Sequence, residues 1–107
     1  MTNLWRTPQE LVQPLTKHRA FTHTTSGDTA ENACLTAGKM EEGIKLSFVV
    51  ELFDMYIEFD NDATTTTLLI PANTGYYDEN IFIGTRISVI NATAGSNGRI
   101  RGILWGR

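Results

Sequence analysis

Few residues of this 107-residue chain have types and spacings that could do chemistry. His18 and His23 stand five apart, without the HxH or HxxxH spacing that presents two imidazoles to one metal, and no carboxylate is placed to complete a facial triad. They read as surface loop histidines. Asp60-Asn61-Asp62 opens like a calcium loop but lacks the glycine and the distal glutamate that close one. It reads as a turn that stops a strand, with a weak cation site between subunits as the alternative. Glu51 and Glu58 are the carboxylates that glycoside hydrolysis would use, yet nothing in the sequence sets their separation or raises a pKa. Cys34, the single cysteine, has no disulfide partner, no thiolate set for a metal and no nucleophile signature, so it reads as a small buried hydrophobe. No serine sits in a GxSxG turn, and Gly95-Ser96-Asn97-Gly98 precedes a strand, so it offers no helix N-terminus to a phosphate. No catalytic residue, metal or cofactor is expected, and the chain is not read as an enzyme.

Recognition chemistry has better candidates. Tyr76, Tyr77 and Asp78 combine aromatic faces, which stack on sugar rings, with a polar group that fixes hydroxyls, and they form a candidate glycan contact. Trp105 alternates with Ile103 and is assigned to core packing. Asn91-Ala92-Thr93 matches a glycosylation acceptor. The N-terminus lacks the basic start and apolar stretch of a signal peptide, so the match reads as incidental and maturation without secretion is expected.

The elements that must position these groups are short strands. Ile44, Leu46, Phe48 and Val50 alternate on one face of a half-buried strand, and Met55, Ile57 and Phe59 alternate in a second. Leu52 and Phe53 between them allow a tight hairpin or one bent strand. Phe21–Thr25 reads as a strand, Ser26-Gly27-Asp28 as a turn, and Ala33–Thr36 as a looser strand. Leu68, Leu69 and Ile70 end a strand at Pro71, Asn73-Thr74-Gly75 is a turn, and Ile81 and Ile83 alternate in the segment after it. Ile87 to Ile90 form another strand. Asn97-Gly98 suits a hairpin turn before a closing strand, Arg99 to Trp105. Seven or eight strands at regular spacing predict an all-β fold, an antiparallel β-sandwich or jelly-roll-like barrel. Residues 1–19 read as an extended arm or a short helix, with a capping box at Thr7, Pro8 and Glu10 and Pro14 limiting any helix to one or two turns. Residues 20–107 form the sandwich.

The composition, 41% hydrophobic and 20% charged, is that of one globular domain. A net charge of −3 hides an asymmetry: residues 40–85 carry nine acids against Lys45 alone, and the remainder is basic. Such a split favours heterologous contacts. No Lys/Arg cluster suits phosphate neutralisation and no apolar run suits a bilayer, so neither nucleic acid nor membrane is expected as a partner.

The phrases LLIPANTGYYDENIFIGTRISVI and GRIRGILWG, within residues 56–107, resemble a pattern of small β-sandwich virion proteins of tailed bacteriophages, the capsid decoration or cement proteins and small tail components among them. The resemblance implies a structural protein on the capsid exterior, made in the host cytoplasm, that binds the major capsid protein and its own copies, a trimer being the first expectation. Contact would then fall to Trp5, Arg6, Leu11, Val12, Leu15, Lys17 and Arg19. The alternative it implies is a tail-associated or receptor-binding module that meets host glycan through Tyr76, Tyr77 and Asp78.

Overall fold

A computed structural model describes residues 15–107. Trp5, Arg6, Leu11 and Val12, and the capping box, lie outside the described residues. Eight strands follow one another: β1 Lys17–Thr24, β2 Glu31–Leu35, β3 Gly43–Glu51, β4 Met55–Phe59, β5 Leu68–Ile70, β6 Thr74–Asp78, β7 Arg86–Asn91 and β8 Arg99–Gly106. No helix occurs among the described residues. The strands form two four-stranded antiparallel sheets, ordered β1-β8-β3-β6 (the first sheet) and β2-β7-β4-β5 (the second). Every connection except β4–β5 crosses from one sheet to the other. This strand order is that of a jelly roll, a β-sandwich as the strand spacing predicts.

The core lies between the sheets. Leu46, Phe48 and Val50 of β3 and Ile100 and Leu104 of β8 meet Met55 and Ile57 of β4 and Ile87 and Val89 of β7, all nearly inaccessible to water. Burying each such side chain contributes about 2 kcal/mol. Cys34 is buried among them, and burial pushes its thiol up to about 11, so it stays un-ionised, as a packed hydrophobe should.

Several local expectations change. Leu52 neither closes a hairpin nor continues a strand: at φ 74° it turns the chain from the first sheet into the second. The turn before β6 is earlier than the sequence suggests, at Pro71–Asn73, with Asn73 at φ 62° and Thr74 already paired with Val50. The segment holding Ile81 and Ile83 is a loop that meets β3 through the bridge of Gly43 to Ile83 and through Ile81 N–H, which donates to the Ile44 carbonyl. Asn97-Gly98 is not a hairpin turn. The reversal lies at Thr93–Ser96, with Gly95 at φ 80°, and Gly98 is needed for space, since a Cβ there would lie 2.8 Å from the Phe53 carbonyl oxygen. Lys17 and Arg19, assigned to the arm, are inside β1.

The closing strand has the opposite phase from the one expected. Ile103 and Trp105 face outward, and Ile100 and Leu104 face the core. Both faces of β8 carry apolar residues, but Gly102 and Gly106 on the inner face lie flush against the Ser47 and Glu42 carbonyls, and only a strand turned this way fits.

Candidate interaction surface

The outer face of the first sheet carries the residues that could meet a partner. Reading across the register, His18, Trp105 and Lys45 form one row, and Ala20, Ile103, Ser47 and Tyr77 form the next. Thr22, Arg101, Val49 and Gly75 follow, and Thr24, Arg99 and Glu51 close the face at its loop end. Small side chains at 20, 22, 47 and 75 keep this surface low. A shallow depression of about 460 Å³ results, lined by Ala20, Phe21, Thr22, Val49, Arg101 and Gly102.

Charged groups frame it. Glu51 accepts from Arg101 Nε at 2.7 Å and Nη2 at 3.0 Å, and from Arg99 Nε at 3.0 Å. Hydrogen bonds from Arg101 and then Arg99 hold the Glu51 carboxyl down to about 2. One carboxylate serves two guanidiniums, so the margin keeps a positive excess. At the other end Lys45 Nζ lies 5.0 Å from the Trp105 ring and 5.7 Å from the Tyr77 ring, an ammonium held between two aromatic faces. A second depression, of about 250 Å³ and basic, lies where the chain enters β1, lined by Thr16, Lys17, His18 and Lys39. Leu15, next to Thr16 in the chain, is exposed. Arg19 points away, its Nη1 donating to the Leu35 carbonyl at 2.6 Å and tying β1 to β2.

The residues with chemical possibilities are dispersed. Glu51 is on the outer face of the first sheet and Glu58 on that of the second, bonded to its own neighbour's amide, Phe59 N–H. His23 Nε2 meets Glu31 Oε1 at 2.8 Å, a strand-to-strand contact within β1 and β2 and not a loop site; His18 is likewise on β1. Partial burial of Asp60 raises its pKa, but the amides of Gly84, Thr85 and Arg86 and the Thr85 hydroxyl outweigh this and leave it lowered. Its oxygens are already committed, and Asp62 pairs with Arg86 at 2.8 Å. Among the described residues no group of three or more His, Cys, Asp or Glu could hold a metal ion.

Tyr76 and Tyr77 point to opposite faces of β6. The Tyr76 ring stacks on Phe48 with centroids 5.1 Å apart, while Tyr77 is exposed and donates its hydroxyl to Glu79. Asp78 accepts from the Tyr76 hydroxyl. Asn91 is 5% exposed, and its amide nitrogen makes three hydrogen bonds, so the acceptor asparagine is enclosed by the fold.

Sequence reasoning missed Ala20, Thr22, Val49 and Ile103. A signal existed: Arg99 and Arg101 alternate in phase with Ile103 and Trp105, and two arginines in phase mark an outward face. Compared with family models, curated proteins and solved structures, the chain matches none.

Proposed function

We propose that this protein is a structural component of a tailed-bacteriophage particle that decorates and stabilises the capsid, laying the outer face of its first sheet against capsid subunits. The observation that carries this reading is the low surface of Ala20, Thr22, Val49, Ile103 and Trp105, framed by arginines and covered by no other described residue. A half-exposed apolar patch with a charged rim has the anatomy of a protein–protein contact. The sequence resemblance supplies the particle. Lys17 and Lys39 extend the contact with positive charge suited to acidic capsid surface, and exposed Leu15 adds an apolar group at the same end. A small domain with modest contacts gains avidity when many copies bind one lattice.

Co-sedimentation of the purified protein with capsids tests this. Saturable binding is expected, weakened about tenfold or more by Ile103→Asp, a change on the outer face that leaves the core intact. Unchanged binding by a folded Ile103→Asp protein would overturn the placement, and no binding by the native protein would overturn the function.

The second reading, a tail-associated module that contacts host glycan, draws on Tyr77, which is 56% exposed across Lys45 from Trp105. Tyr76 contributes little there, because its ring is committed to Phe48. Retention of the protein on glycan arrays, lost on Tyr77→Ala, would move the weight to this reading.

A further inference from the structure

Asn97-Gly98 is the single Asn-Gly pair of the chain, and pairs of this kind are chemically fragile. The amide nitrogen of the glycine attacks Cγ of the asparagine. A bond forms between Gly98 N and Asn97 Cγ, the Cγ–Nδ2 bond breaks, and ammonia leaves with the proton that Gly98 N gives up. Water then opens the succinimide at either carbonyl, giving an ordinary aspartyl or an isoaspartyl link at this position. Only water is consumed, and glycine is the fastest successor because no side chain hinders the approach.

The fold denies the reaction its two requirements, a free glycine amide and a mobile asparagine side chain. Gly98 N–H donates to Thr25 Oγ1 at 3.1 Å, and Gly98 O accepts from Thr25 N–H at 3.0 Å, so residues 25 and 98 are paired in both directions. Asn97 Oδ1 accepts from Asn91 Nδ2 at 2.9 Å. Asn91 is itself locked: its Oδ1 accepts from the Thr25 hydroxyl, and its amide also reaches Gly27 O and Asp28 Oδ1, both at 3.0 Å. Thr25 and Asn91 are 2% and 5% exposed. Asn97 is exposed, so water is at hand once a ring forms.

We infer that Asn97-Gly98 is a latent deamidation site gated by the Thr25–Asn91 network, silent while the loops at this end of the sandwich are docked and reactive when they open. The two products differ in consequence. The carboxylate of the aspartyl product still accepts from Asn91 Nδ2. An isoaspartyl link inserts a carbon into the main chain beside Gly98, whose Cβ side is closed by Met55 Cγ and the Phe53 carbonyl. The isoaspartyl product therefore breaks the pairing with Thr25 and loosens its own gate.

The test incubates the full chain in mildly alkaline buffer and follows amide-to-acid conversion at Asn97 by intact mass and by peptide mapping that separates aspartate from isoaspartate. Three samples are compared: the folded protein, the same protein in urea, and folded Thr25→Val. Conversion about tenfold or more slower in the folded protein than in urea is expected, with Thr25→Val moving toward the urea rate. Lys45→Ala, on the first sheet's outer face, should keep the native rate. Equal rates folded and in urea would overturn the gate, and that comparison needs no variant. A folded Thr25→Val protein as slow as the native one would overturn the role of Thr25.

Discussion

The two outer faces of this sandwich are built from similar strands and finished differently. On the second sheet, the connection between β4 and β5 folds back over the surface: Ala63 N–H donates to Ser88 Oγ at 3.0 Å, Asp62 pairs with Arg86, and Asp60 gathers the amides of the β6–β7 loop. Ser88, an outward residue of a central strand, is thereby fully buried. On the first sheet nothing among the described residues plays that part, and Val49 and Ile103 on its central strands stay half-exposed. The cover on the second sheet is local: it encloses Ser88, while Tyr56 and Ile90 in the next row stay half-exposed and Leu69 at the edge is exposed. The covered face is a matter of stability, and the open face is where a partner would add most.

Predictions follow from that contrast. The largest effect is expected in the first sheet, whose central crossing is thinned by glycine. Gly102→Ala would drive a Cβ into the Ser47 carbonyl oxygen and to within 2.5 Å of Phe48 Cβ, main chain and core that cannot move aside. A loss of about 3 kcal/mol is expected, read as a lower urea midpoint at unchanged slope. Next comes the cover of the second sheet. Ser88→Ala leaves the buried Ala63 amide without an acceptor and should cost about 1–2 kcal/mol, with faster hydrogen exchange across residues 60–67. If exchange there is unchanged, the cover does not depend on this bond.

The smallest effect concerns acid. The folded-state pKa of Glu51, about 2, lies below its ordinary 4.5, so its contribution is present above the ordinary value and fades as pH falls toward about 2. Glu51→Gln should flatten the acid limb of stability across that window and leave stability in mild alkali on its plateau. Because Glu51 is on the open face, bound by two half-exposed arginines, the change should be small and should shrink further in salt. An acid limb identical to that of the native protein would assign acid sensitivity to the other carboxylates held below their ordinary pKa, Asp28, Glu31 and Asp60.

Much of the fold was legible because strand periodicity is local. The alternation of Leu46, Phe48 and Val50, and of Met55 and Ile57, found its inward face directly, since the opposite positions are mostly polar. Legibility failed where both faces are apolar or where a glycine has two readings. In β8 the pair Ile103 and Trp105 outweighed Ile100 and Leu104 by size, although Arg99 and Arg101 share the phase of the former. Gly98 read as a turn residue when its reason is the closeness of Phe53 and Met55, which are more than forty positions away in the chain. The candidate surface was hardest to see, because Ala20, Thr22 and Val49 are unremarkable singly and become a surface only when β1, β8 and β3 are laid side by side.

By itself the sequence determined the class, a count of seven or eight short strands, and the fate of Cys34 as a packed thiol. These rest on composition and on neighbours two residues apart, which a chain specifies without reference to the rest of itself. Only the tertiary structure decided the strand order, the face β8 turns outward, the separation of Tyr76 from Tyr77, and the lock that Thr25 and Asn91 place on Asn97-Gly98. All but the Tyr76–Tyr77 split, which follows once residues 74–78 are a strand, depend on partners far apart in the chain. Strand pairing is satisfied by any neighbour with free amides and carbonyls, so the choice among neighbours is made by how the whole core closes.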